Sequence, residues 1–449
     1  MNLISKYNVQ IPRYTSYPTV PAWKNNLTSS RWKELVSERF ELVNSKQGMS
    51  LYLHLPYCES LCTYCACNTR ITVNHKVELP YIESVLAEWK LYLALFNEKP
   101  KLRELHLGGG TPTFFSPKNL EYLLSNILAT CEIPSEHDFS FEGHPSNTTA
   151  EHLQTLYTLG FRRVSFGIQD FDAKVQDVIN RYQSVEEVRE VVATARTIGY
   201  RSINFDLVYG LPFQTQASIS ETLQEVITLK PDRIAFYSYA HVPWLKPGQR
   251  KFTEKDLPLD SVKRALYETG LKVFSDQGYI DIGMDHFALP SDSLHTAMSK
   301  GTMHRNFMGY TDMTTGLLLA LGCSSISDCG TAFAQNIKTV EAYQEAISKG
   351  EFAITKGHVL TEEDTEVQKI ILDIMCKGKA DFSSLATDKD FFAASVQRLR
   401  LLEEDHLLEL HQHTLLVTEL GKGFLRNIGA CFDRYLQQQQ SQQLFSTVA

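Results

Sequence analysis

The sequence lacks a basic surplus: 44 Lys and Arg stand against 52 Asp and Glu, a net charge of −8. That balance excludes a chain whose main task is to hold nucleic acid, because such chains carry clustered positive charge. Long apolar runs are also missing. No window approaches the roughly 18 consecutive apolar residues of a membrane helix. Met1 to Val9 is polar and has no signal-peptide core, so the expectation is a cytosolic, reducing setting in which structural disulfides are rare. There is no internal repeat beyond a strand–helix alternation. Nine cysteines therefore need another explanation. Cys131, Cys323, Cys329, Cys376 and Cys431 are scattered and read as small buried hydrophobes, whereas Cys58, Cys62, Cys65 and Cys67 fall within one short stretch.

What is present is a rhythm. Short apolar runs at Leu51–Leu55, Glu104–Leu107, Phe139–Phe141, Arg163–Ile168, Ile203–Val208 and Ile234–Tyr239 read as strands. Helical periodicity separates them at Leu79–Phe96, Asn119–Thr130, Ala150–Leu159, Val185–Ile198 and Ile219–Leu229. Alternation of this kind predicts an α/β protein with a parallel sheet. Six units are too few for a closed eight-strand barrel, so a partial (β/α)6 TIM-like barrel is expected, with a doubly wound sheet as the alternative. Polar residues recur at the strand ends: Glu142, Gln169, Asp206, and His241 after the sixth. In barrels those ends converge on one mouth. The division expected is an N-terminal arm over residues 1–48, the barrel over 49–340, and a mainly helical domain over 341–449 with a hairpin at Leu407–Val417 and a winged-helix-like unit at Leu401–Leu425. The tail, with Gln437–Gln440, Gln442 and Gln443, is expected to fray.

The cluster reads Cys58-x3-Cys62-x2-Cys65-x-Cys67, directly after a strand. Structural zinc normally uses two separated knuckles, and a second knuckle is missing; His54 and His75 would complete it only in a cramped geometry. A redox pair of Cys62 and Cys65 would need neither Cys58 nor Cys67. An iron–sulfur cluster suits a compact cysteine loop, and three thiolates leave one iron open for a ligand.

Tyr64 before the third cysteine completes a signature that resembles the radical S-adenosylmethionine enzymes. The surrounding motifs narrow the resemblance: Tyr52–Cys58, Gly108–Thr113, Gly167–Asp170, Asp206–Pro212, Tyr239–His241, Gly283–Phe287, and the arm Arg13–Pro18. Together they are similar to the oxygen-independent coproporphyrinogen III oxidases, from Arg13 to at least Thr361. Haem-carrying relatives share the loop and barrel, but Cys67 and the Arg13–Pro18 arm argue against them.

The resemblance implies a 4Fe–4S cluster on Cys58, Cys62 and Cys65 and two S-adenosylmethionine molecules. Tyr52, Gly109, Glu142 and Ile326 are expected at the cluster-bound molecule. Tyr64, Gly110, Thr111, Gln169, Arg181, Asp206 and Ala240 are expected at the second. Cys67 and Tyr52 are the candidate catalytic residues, although Cys67 is not expected to ligate iron. The implied reaction turns two propionates of coproporphyrinogen III into vinyls without oxygen, served by an electron donor and an acceptor that the sequence does not name. A monomer is implied, with neither nucleic acid nor membrane as a partner. A porphyrinogen with four carboxylates calls for local positive charge, for which Arg13, Arg250 and Arg305 are the candidates. One departure stands out: Glu142 is followed by Gly143-His144-Pro145, where many relatives carry an acid before the proline.

Overall fold

Alternation with period two builds the sheet. The first six strands are β1 (Met49–Leu55), β2 (Leu102–Gly109), β3 (Asp138–Gly143), β4 (Arg163–Gln169), β5 (Ser202–Tyr209) and β6 (Arg233–Ser238). One phase of each is apolar and closed off: Leu53, Leu107, Phe141, Phe166 and Phe205 have no exposed surface. The other phase is polar, with His106, Ser140, Glu142, Ser165, Asn204 and Asp206. A parallel strand covered on both faces usually reads as a continuous apolar run; here the inner face is polar. The computed structural model describes residues 3–438, so most of the glutamine-rich tail lies outside the described residues.

Helices Pro117–Leu128, Ala150–Thr158, Val185–Ile198 and Gln216–Leu229 connect the strands. Each begins at a Ser or Thr (Ser116, Thr149, Ser184, Thr215) whose hydroxyl accepts a backbone N–H three residues on. Gly199 caps its helix in the left-handed region at φ +114. Neighbouring strands from β1 to β6 follow chain order and run parallel. The order never reverses, which removes the doubly wound alternative and leaves the partial barrel.

Beyond β1 the sheet continues through β7 (Leu317–Leu321), β8 (Ile326–Asp328), β9 (Ala332–Asn336) and β10 (Ile354–Val359). β7 pairs parallel with β1, and the last three pair antiparallel in sequence. Of these four strands only β10 falls after residue 340, and the chain beyond it is mainly helical, as expected. The four strands belong with residues 25–277 and 315–359 in one unit.

The second unit gathers residues up to 24, 278–314 and from 360 onward. The expected linear boundaries at 48 and 340 are therefore not those of the structure. Helix Ser29–Val43 joins the barrel unit, whereas Tyr14 and Tyr17, at 2% and 1% exposure, are core residues of the other. Tyr14 Oη donates to Asp433 at 3.0 Å, so the arm is packed in its own unit. That unit's core has helical spacing, with Val367, Ile370, Ile371 and Ile374 on one face of Glu362–Lys377. The expected hairpin forms at Leu408–His411 and Thr414–Val417, and Lys379–Asp381 adds a third strand. The five scattered cysteines are free and buried.

Candidate functional site

β1 delivers the chain into the cysteine loop. Tyr57–Cys58 pairs with Arg70–Ile71, and Cys65 N donates to Cys62 O at 3.1 Å. A short helix, Ala173–Ile179, which the sequence did not announce, holds the loop from below. Thr63 N donates to Ile179 O at 2.9 Å, and Thr63 Oγ1 donates to Val178 O at 2.8 Å. The glycine strip after β2 leans on the loop's root. A Cβ on Gly110 would lie 2.6 Å from the Pro56 carbonyl, and one on Gly109, at φ +111, would lie 2.6 Å from the His54 ring. The bare faces of these glycines admit the loop's own backbone and His54, and both glycines also line the cavity described next.

The four cysteines open on a cavity of about 430 Å³. Tyr64, Gly109, Gly110, Thr111, Glu142, Gln169, Arg181, Asp206 and Ala240 line it with them. Two expected residues do not. Ile326 lies on β8 and is not among the residues that line this cavity. Tyr52 stands one layer away: its hydroxyl meets His54 Nδ1 at 3.2 Å and its ring stacks on His106 at 5.9 Å. His106 Nε2 in turn reaches Glu142 Oε1 at 3.4 Å. Tyr52 thus packs on the histidine that contacts Glu142. Arg250 is exposed, donates to Pro243 O at 3.0 Å, and does not line the cavity. Arg13 and Arg305 belong to the other unit. There Arg13 pairs with Asp285 at 3.1 Å, and Arg305, 4% exposed, lies 4.6 Å from the Tyr310 ring centre.

Charge in the cavity is arranged by burial. Arg181 is its one Lys or Arg. Its Nε donates to Gly167 O at 3.1 Å and its Nη1 reaches Cys62 Sγ at 3.7 Å. Burial raises the Cys62 thiol, and this guanidinium opposes the rise. Burial also pushes Cys58 up to about 11, against a 3.2 Å contact with Thr111 Oγ1. The Cys65 thiol is pulled down, first by its hydrogen bond from Cys67. Asp206 is pushed up to about 6 by burial and then by the Glu142 charge. Ser165 Oγ and Asn204 Nδ2 each donate to it at 2.9 Å. Gln169, a non-glycine residue, is held at φ +66, the kind of backbone strain that clusters at working sites.

Sequence reading missed His106, Ser165 and Asn204. Their signal was the alternation itself: Ser165, Gly167 and Gln169 interleave with Val164, Phe166 and Ile168. Among the described residues, no group of three or more His, Cys, Asp or Glu is placed to hold a single metal ion.

Residues 52–226 match the Radical SAM superfamily. An oxygen-independent coproporphyrinogen III oxidase of a Synechocystis species is 37% identical, the alignment covering 99% of this chain and 97% of the relative. The Escherichia coli K12 protein of that name is 35% identical over 99% and 97%. The solved structure of coproporphyrinogen III oxidase (HemN) from Escherichia coli, a radical SAM enzyme, superposes with a TM-score of 0.89 at 33% identity, covering 95% of this chain and 100% of that one. With such agreement along nearly its whole length, the chain belongs to the oxygen-independent coproporphyrinogen III oxidase family of the radical SAM superfamily.

Proposed function

We propose that the chain performs the oxidation for which its family is named, converting two propionates of coproporphyrinogen III to vinyls, with the chemistry at the cysteine-lined cavity. One observation carries this reading: free thiols, three carboxylates and one guanidinium share a single cavity. That donor set suits a 4Fe–4S cluster on Cys58, Cys62 and Cys65 together with an amino-acid nucleoside. When bound, the cluster and S-adenosylmethionine supply one-electron chemistry that removes a hydrogen atom from the propionate chain.

The chain's residues supply placement and electrostatics. Arg181 favours thiolate at Cys62 and offers its remaining N–H groups to a carboxylate. Cys67 N donates to Cys65 Sγ at 3.4 Å, so Cys67 orients a ligand without being one. Glu142 accepts from Gly109 N at 3.3 Å and is steadied by His106, leaving it to receive an ammonium or ribose hydroxyl. Asp206 has the same role for a second S-adenosylmethionine, with Gln169 and Arg181 beside it. Tyr52 positions Glu142. A one-electron donor, an acceptor, a monomeric state and a cytosolic setting complete the reading; no helix among the described residues is long and apolar enough to cross a membrane.

The test is an anaerobic incubation of reconstituted protein with coproporphyrinogen III, S-adenosylmethionine and a reductant. Vinyl product and 5′-deoxyadenosine are expected, and the absence of both overturns the assignment. Cys62→Ala is expected to abolish both products; a variant that kept cluster and activity would contradict the ligand set. Tight haem binding without turnover would point instead to the haem-carrying relatives.

A further inference from the structure

His144 stands two residues after Glu142, on the wall of the same cavity. Its Nδ1 accepts the Ser146 backbone N–H at 3.2 Å and so caps the short turn Pro145–Asn147. A backbone amide can only donate, so Nδ1 carries no proton and the neutral ring keeps its proton on Nε2. Burial, followed by the Arg181 charge, pushes the imidazole down to about 3, so the ring stays neutral at working pH. No protein group among the described residues accepts from Nε2. The result is a neutral N–H donor of fixed tautomer on the cavity wall.

What it donates to follows from the other wall residues. Glu59, Glu142 and Asp206 are the acids of the lining and repel an anionic ligand group, while Arg181 is the only Lys or Arg. The negative end of a zwitterionic ligand therefore settles toward Arg181, whose charge is already felt at His144. Gly167 O occupies the Nε side of that guanidinium, so Arg181 alone offers an incomplete cradle. We propose that His144 donates its Nε2–H to the carboxylate of an S-adenosylmethionine in this cavity and shares that carboxylate with Arg181. This rests on the reading of the cavity as an S-adenosylmethionine site. It also revises the expectation that the Gly143-His144 departure changes only loop shape: the backbone cap uses Nδ1 and leaves Nε2 for a ligand.

The experiment compares S-adenosylmethionine with its decarboxylated analogue, which keeps the sulfonium, the amine and the adenosine. Both are bound to the anaerobically reconstituted holoenzyme and followed by equilibrium dialysis. His144→Asn and His144→Ser retain an oxygen able to cap Ser146 but are too short to replace Nε2. Each is expected to keep the wild-type thermal midpoint. Each should weaken S-adenosylmethionine about 10-fold in at least one binding phase, while the analogue changes less than about 2-fold. Equal weakening of both ligands, or of neither, overturns the proposal. If the wild type binds S-adenosylmethionine at no concentration tested, the cofactor reading of the cavity has failed and takes this proposal with it.

Discussion

Two carboxylates of the barrel unit meet the same physics with opposite results. Glu88, on the helix Glu78–Leu93, is fully buried and pushed up to about 7; Asp206, on β5, is pushed up to about 6. Burial is the leading cause for both. The difference lies in their partners. Glu88 accepts from Gly322 N at 2.8 Å, Tyr343 Oη at 2.7 Å and Asn336 Nδ2 at 2.6 Å. All three belong to the protein, and the network locks the loop after β7. That loop carries Cys323 N, which donates to Tyr81 Oη at 3.0 Å, and Tyr81 donates to His54 O at 2.8 Å. Glu88 thus braces the end of β1 from which the cysteine loop departs. Asp206 has only two donors and keeps part of its surface on the cavity. A buried acid saturated by the protein is spent on structure, whereas one left partly open can still accept from another group.

The largest effect expected from breaking this contrast is on stability. Glu88→Ala takes the acceptor from the Gly322 N–H and the Tyr343 hydroxyl, strips one of three from Asn336 Nδ2, and opens a small void. A loss of about 4 kcal/mol is expected, read from the urea midpoint of the barrel unit. A loss below about 1 kcal/mol would place Glu88 with the ordinary surface acids.

A pH titration sharpens the same point. The folded pKa of Glu88 lies above its ordinary value, so below pH 4.5 both folded and unfolded states hold the proton. Between pH 4.5 and about 7 only the folded state holds it. This group's contribution to stability therefore falls as pH rises, by about 3 kcal/mol across that window. The slope should appear in the wild type and be lost in Glu88→Gln, so that the difference between the two curves isolates it, measured by urea unfolding at pH 4.5 and pH 7.5.

The saturated region and the open one were not equally legible. Leu51–Leu55 and Ile203–Val208 announced themselves by apolar runs, and Glu142, Gln169 and Asp206 by ending such runs. Leu317–Leu321 is just as apolar, but it sits between Gly316 and Gly322 and shows neither period, so it is not among the strands expected from the sequence. Glu88 gave no sign, because a glutamate within an amphipathic helix looks like a solvated one until Asn336 and Tyr343 arrive from far along the chain. Ser165 and Asn204 were hidden differently: a polar mid-strand residue has the same pattern on a solvent face as on a polar barrel interior. Ile326 was assigned by family position alone, and it offered no chemistry by which to check that assignment.

The smallest predicted change separates the two acids most sharply, because its effects differ in sign. Asp206→Asn removes a charge that burial and Glu142 both disfavour. Stability should therefore hold or rise slightly, since the protein loses an uncompensated buried charge and few contacts. The same substitution takes away the acceptor that the cavity offers to a ligand. S-adenosylmethionine affinity, measured with the reconstituted enzyme, should fall about 10-fold, or about 1.4 kcal/mol. Glu88→Gln should do the reverse, costing stability while leaving the affinity of the folded fraction unchanged. If Asp206→Asn instead destabilised the fold without touching affinity, Asp206 would be a second Glu88, and the partly open acid would have to be sought at Glu142.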